Sequence, residues 1–452
     1  MECYSFRLSN GLFSFSPNGL FAAICNQQRL AVYLVSDFRQ IRVIQCSEIV
    51  EHIEWSTDSE LLLSAYLKKG KLDVWSIAQP EWKCKISTGS LGLIAAQFAP
   101  SSRHVLTTAN LHLRITIWSL TDQNVCQIST GSLGLIAAQF APSSRHVLTT
   151  ANLHLRITIW SLTDQNVCHI NLPKQANPGI DFSVAGAYMA VVERRMAQDC
   201  VAIYTCDTWA QVTLIGGEAI DIGGVKWSPD GTKIVIWDGS HPGKLGIYLI
   251  SGSKLAVLTD VFGIHSLEWS PTAQILAVAT VGCKIKLINH LSWNAISTLN
   301  HPDKIRDTTC IIYCEVEDKL KYHVRDERPF ALPGGSSIGQ LLLTFSVDAR
   351  YLAVQDQQRP RVLWVWELPF FTLKSVLVHC LPVKCFKWSN TDPRLAIVCG
   401  TGNLYAWTPR GCAVTDLRSA SINIAALKAD RAEWDVSGEH LMISGKDIGC
   451  MC

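Results

Sequence analysis

The residues that could do chemistry in this chain are few, and their surroundings support them poorly. Gly335-Ser-Ser337-Ile-Gly339 has the spacing of a nucleophile elbow, which exposes a serine on a strained strand-to-helix turn above an α/β sheet. Here Pro333-Gly334 leads into it and an apolar run that reads as a strand, 340–345, follows, so acyl transfer is not expected. His104 and His112, repeated as His146 and His154, are single imidazoles with no cysteine or carboxylate at metal-ligand spacing. A Gly-Lys-Ser/Thr loop that would cradle a phosphate is absent. The expectation is a protein without enzymatic activity, metal or cofactor.

Residues suited to binding are more numerous. Lys68, Lys69 and Lys71 occupy a hairpin turn, Arg194 and Arg195 end the run that starts at Tyr188, and Arg359 and Arg361 flank Pro360. Each basic pair or triplet is either a solvated hairpin tip or a contact for an acidic partner helix. Trp82 leaves a strand through Gln79-Pro80-Glu81, and with Trp293 it either packs on a neighbouring sheet or anchors a partner. The partner-binding candidates are therefore Lys68, Lys69, Lys71, Trp82, Arg194 and Arg195. Cys450-Met451-Cys452 looks like a prenylated tail, yet it ends an apolar run from Leu441 and is expected to lie in a buried edge strand.

What positions these residues is a tandem array. An aromatic followed by a short polar turn recurs at Phe15, Trp55, Phe98, Phe140, Phe182, Trp227, Trp269, Phe345, Trp388 and Trp434. Neighbouring anchors are 40 to 46 residues apart, with one gap of 76. After each anchor come an apolar run, a polar turn and a second run ending in an aromatic, as at Val74-Trp75, Ile117-Trp118, Ile203-Tyr204 and Val365-Trp366. That is strand, hairpin and strand at the period of a propeller blade.

The pattern resembles the WD-repeat family of β-propellers over nearly the whole chain. It departs from that family in lacking the terminal Trp-Asp pair: Trp237-Asp238 stands on the preceding strand and Trp434-Asp435 at an anchor. Cohesion is therefore expected from apolar packing between sheets more than from a buried polar network.

The expected fold class is all-β: about nine ancestral blade units plus one copied unit, as one enlarged ring or a seven-bladed propeller with a smaller partner sheet. Residues 1–300 read as seven blades, 301–339 as an insertion or linker with one strand near 309–316, and 340–452 as the C-terminal blades. Residues 86–126 and 128–168 are identical, at an offset of 42. No slowly diverging repeat stays identical over 41 residues, so the copy (blade 127–168) is either a fresh duplication or an assembly artefact, and we favour the artefact.

Composition narrows the partners. Of 452 residues, 48% are apolar and only 17% charged, which requires a buried core. A formal charge of +2 disfavours a nucleic-acid partner, and no apolar run approaches the ~20 residues that cross a bilayer. The seventeen cysteines are scattered singly, as at Cys25, Cys283 and Cys399, which suits reduced thiols in the cytosol or nucleus.

Several segments are narrower than the generic repeat: His52-Ile-Glu-Trp-Ser56, Gln79-Pro-Glu-Trp-Lys-Cys-Lys-Ile86, His112-Leu-Arg-Ile-Thr-Ile-Trp118 and Tyr188-Met-Ala-Val-Val-Glu-Arg-Arg195. They resemble the centrosomal and spindle-pole branch of the WD-repeat proteins. That resemblance implies a cytoplasmic scaffold at centrosomes that binds a coiled-coil protein of the synovial sarcoma X breakpoint interacting type. A minus-end-directed kinesin is a further implied partner, and the implied roles are anchoring of microtubule minus ends, spindle organisation and cilium assembly. A substrate adaptor of a ubiquitin ligase and an RNA-binding propeller are the competing readings.

Overall fold

Each anchor aromatic closes the first strand of an antiparallel meander, and the residue after it turns the chain into the second strand. The computed structural model describes residues 3–452 apart from 90–91, 110–113, 123, 130–134, 152–155, 165, 175–178, 217–220, 240–242, 262, 281, 283, 317–320, 335–339 and 421–426. Among the described residues ten blade sheets result, numbered here as blades 1 to 10: 13–45, 52–87, 93–129, 135–171, 180–216, 222–261, 264–300, 341–378, 385–416 and 431–451. Their number equals the nine units plus one copy read from the spacing.

The turn after the anchor is a small polar device. Ser16, Ser56, Ser228, Ser270 and Ser346 are buried, and their hydroxyls accept the amide five residues on, at 2.9–3.0 Å. Ser56 also donates to Asp58 at 2.6 Å. A buried hydroxyl with both roles filled avoids the desolvation penalty of an orphaned polar group. Three residues further along, Ser59, Ser102 and Ser144 sit at φ of 64°, 60° and 59°. Their hydroxyls accept from Asn18, Asp58 and Ser101 amides of the preceding blade, at 3.0, 3.2 and 2.8 Å. The hydrogen bond from the neighbouring blade offsets the left-handed backbone that glycine would adopt freely.

The chain divides into two compact units, Arg7–Val225 and Met1–Phe6 with Lys226–Cys452. In the first, cores form where blades face each other. Leu106, Ile115, Ile117 and Ile128 of blade 3 meet Phe140, Val147, Trp160 and Leu162 of blade 4. The copied residues Leu148, Ile157, Ile159 and Ile170 then meet Met189, Val191, Tyr204 and Trp209 of blade 5. Blade 2 likewise packs on Phe98, Val105, Trp118 and Leu120 of blade 3. Identical blades thus use identical faces.

Packing is supplemented by polar pairs that the missing Trp-Asp signature did not lead us to expect. Trp75 donates to Ser64 Oγ at 3.0 Å, and Trp118 and Trp160 donate to Thr107 and Thr149 at 2.9 and 3.0 Å. In each case a third-strand indole reaches a second-strand hydroxyl within its own blade.

In the second unit, blade 8 differs from the rest. Ile311–Glu315 runs parallel to its outer strand Thr372–Val378, and Tyr322–Arg325 pairs outside it, giving six strands. Lys304–Ile305 also pairs with Phe330–Ala331, so the segment holds four strands where one was expected. Blade 10 takes its fourth strand, Tyr4–Arg7, from the start of the chain, beside Ile448–Met451.

Candidate partner-binding surface

The lysine triplet lies at the hairpin of blade 2. Leu67–Lys69 makes one 3₁₀ turn that ends on Gly70 at φ 63°. A Cβ there would stand 2.4 Å from the Gly89 carbonyl, so the turn requires glycine. Lys68 is 87% exposed and its ammonium lies 3.1 Å from the Glu51 carboxylate, whose other oxygen accepts the Lys68 amide at 2.8 Å. Lys69 and Lys71 are exposed.

Register extends the patch. Asp73 pairs with Lys85 and Trp75 with Lys83 across the third and fourth strands, and both lysines are exposed. Asp73 itself turns inward, where it accepts the Tyr66 hydroxyl at 2.7 Å. The outer edge of blade 2 therefore presents Lys68, Lys69, Lys71, Lys83 and Lys85. The period-2 pattern Lys83-Cys-Lys85-Ile86 carried that signal, and the sequence reading passed over it.

The arginine pair lies at the hairpin of blade 5, whose strands Tyr188–Arg195 and Gln198–Thr205 run eight residues each. Buried Glu193 accepts the Tyr204 hydroxyl at 2.6 Å and Arg195 Nε at 2.7 Å. Buried Asp199 accepts Arg194 Nε at 2.7 Å, Lys174 Nζ at 2.5 Å and the Ile222 amide at 2.9 Å. Lys174 also reaches Asp221 at 2.5 Å. Burial pushes the Asp199 carboxyl up, and these hydrogen bonds more than reverse it, holding Asp199 below the usual carboxylate range. Three cations thus face three carboxylates.

Arg194 and Arg195, 51% and 41% exposed, neutralise their own hairpin. They brace a tip made of Met196 and Ala197, at φ 49° and 63°. Met196 is 99% exposed.

The remaining candidates are engaged in packing. Trp82 is half-buried against the core of blades 2 and 3 and lines a cleft of about 410 Å³ with Cys84, Trp118, Leu120 and Val125. Trp293 is buried with its ring edge-on to Trp269, centroids 6.4 Å apart. Arg359 is buried and pairs with Asp303, whereas Arg361 is exposed. Burial lowers the pKa of His104 and of His146, and His146 lies edge-on to Trp209 at 5.3 Å. His112, His154, Cys283 and the elbow Ser337 lie outside the described residues. Cys450 is buried in the third strand of blade 10, but that strand lies between Leu441–Ser444 and Tyr4–Arg7 and is not the edge strand expected, because the start of the chain pairs outside it. Among the described residues, no cluster of three His, Cys, Asp or Glu side chains could hold a metal ion, and no helix is long and apolar enough to cross a membrane.

The chain is 30% identical over 483 residues to the WD repeat-containing protein WRAP73 of Mus musculus, covering 99% of this chain and 94% of the mouse protein. It belongs to the WD-repeat protein family. An uncharacterised WD repeat-containing protein of Schizosaccharomyces pombe is 23% identical over 225 residues, 47% of this chain and 46% of that one. No family model matches the WD-repeat chain. Among solved structures, the crystal structure of a eukaryotic initiation factor superposes with a TM-score of 0.50 at 12% identity, covering 81% of this chain and 89% of that one. That likeness concerns the fold alone. As a WD-repeat β-propeller protein, the chain is a protein-interaction scaffold.

Proposed function

We propose that this WD-repeat chain is a non-enzymatic scaffold of centrosomes and spindle poles that holds a coiled-coil partner, anchors microtubule minus ends, and serves spindle organisation and cilium assembly. The observation that carries the partner class is the lysine surface of blade 2, where Lys68, Lys69, Lys71, Lys83 and Lys85 are all exposed and Lys68 alone among them pairs with the half-buried Glu51. A coiled coil displays acidic e and g positions in a line, and a rigid strand edge offers matching positive charge at fixed spacing. The cellular site rests on the segments that resemble the centrosomal branch, and it is supported by a relative matched along 99% of the chain.

Proximity labelling with the full chain in dividing cells tests the reading. Biotinylation of a centrosomal coiled-coil protein, lost in the Lys68→Glu, Lys69→Glu, Lys71→Glu variant, is the expected result. Labelling of cullin components instead, with no concentration at spindle poles, would replace it with a ubiquitin-ligase adaptor.

A further inference from the structure

Cys3 immediately precedes the strand Tyr4–Arg7, and Cys452 immediately follows its neighbour Ile448–Met451. Their sulfur atoms are 2.7 Å apart. That contact is only about 0.7 Å longer than an S–S bond of ~2.0 Å. Both side chains rest on the same apolar cluster, with Ala432, Leu441 and Ile443, so neither is free to swing away. Cys450 is the rival for Cys452. Its side chain also touches that of Cys452, but residues two apart on one strand have Cα atoms about 6.6 Å apart, at the long end of what a disulfide spans.

We propose that Cys3 and Cys452 form an oxidant-sensitive dithiol site, at which a small-molecule disulfide such as oxidised glutathione converts the hydrogen-bonded join between the first and last strands into a covalent one. Cys3, the half-buried member, attacks first. Its thiolate bonds to one glutathione sulfur and expels the other as a thiolate. Cys452 then attacks the Cys3 sulfur and expels the second glutathione. Two protein thiols are oxidised, one glutathione disulfide is reduced, and the two protons end on the two glutathione molecules. The hydrogen bond with Cys452, and then burial, raise the Cys3 thiol above its ordinary value. That shift slows the attack at neutral pH, and raising the pH speeds it by increasing the small thiolate fraction.

The test uses the purified full chain, incubated with oxidised glutathione at pH 8.5 until the exposed Cys126 and Cys168 carry glutathione. Monomeric protein is then digested with trypsin without reduction. The expected product joins peptide 1–7 to peptide 447–452, is lost in Cys452→Ser and persists in Cys450→Ser. The oxidised chain should also unfold a few degrees higher than the reduced one, a shift absent in Cys3→Ser. Glutathione on Cys126 and Cys168 without the joined peptide, or a joined peptide that depends on Cys450, would overturn the proposal.

Discussion

The indole of Trp434 donates to the carbonyl oxygen of Lys387 at 3.0 Å, one residue before the anchor of the preceding blade. Trp388 stands in the same relation to Thr344 at 3.1 Å, and Trp55 to Ser14 at 3.0 Å. The bond ties the first strands of consecutive blades. Where the anchor is Phe140, which has no donor, the Gln97 amide of the preceding blade reaches forward to the Ala138 carbonyl at 3.2 Å instead. Trp269 departs from the other three: its indole makes no such bond, and Lys226 of the preceding blade reaches forward to the Leu267 carbonyl at 3.3 Å.

Trp75 is buried and its indole satisfies Ser64, which in turn donates to the Asp73 carbonyl. Trp75→Ala removes a large core side chain and leaves Ser64 without its donor, at a cost of ~3–5 kcal/mol. That is comparable with the stability of a domain. Expression of the variant as insoluble protein, against soluble Trp75→Phe, is the outcome to look for.

His379 is buried beside the Tyr322 hydroxyl, 3.4 Å away, and edge-on to the Tyr405 ring, with Glu315 bonded to Tyr405. Burial pushes its pKa down to about 3. In the unfolded chain it titrates near 6.5. Between those values only the unfolded state is protonated, so stability is full above ~6.5 and declines as the pH falls toward 3. The loss is about 2 kcal/mol from pH 6.5 to pH 5. Denaturant titrations at pH 7 and pH 5 should differ by that amount in the wild type and by clearly less in His379→Gln.

The Lys68→Glu, Lys69→Glu, Lys71→Glu variant loses one surface ion pair, worth at most ~1 kcal/mol. Its unfolding midpoint should match the wild type. Affinity for the coiled-coil partner should fall at least tenfold, and the remaining binding should vary less with salt. Unchanged affinity would move the partner surface away from blade 2.

Deleting 127–168 should leave the protein soluble with a nearly unchanged melting temperature. The join it creates sets blade 3 directly on blade 5, through the faces that blade 4 now offers. Whether cells make the copy is a separate matter that trypsin decides. A translated copy releases the peptide Ile115 to Arg145 across Gln127. Either chain releases the same peptide ending at Lys174, which in the copied chain is 157–174, so the junction peptide alone decides, and we expect it to be missing.

The blade array was legible because each anchor combines a large aromatic with a turn residue, and both ends of that device are local. The serine hydroxyl that fixes the Trp55 turn is one residue away, and the amide it accepts is six away. What stayed hidden depends on residues far apart in sequence. Ile311–Glu315 finds its parallel partner some sixty residues on, at Thr372–Val378. Arg194 and Arg195 read as a basic patch because Lys174 and Asp221, which complete their network, lie outside the motif. The lysine triplet was visible, but its extension to Lys83 and Lys85 needed the register between two strands.

The borrowed fourth strand of blade 10 sets an order of events during synthesis. Tyr4–Arg7 leaves the ribosome more than four hundred residues ahead of Ile448–Met451 and cannot pair until that strand has emerged. At the usual ~5–20 residues per second, that interval is roughly twenty seconds to a minute and a half. For all of that time the nascent chain trails a strand with an unpaired edge, the kind of surface that invites pairing with another chain. The topology therefore leaves that strand open to other chains until Ile448–Met451 is made.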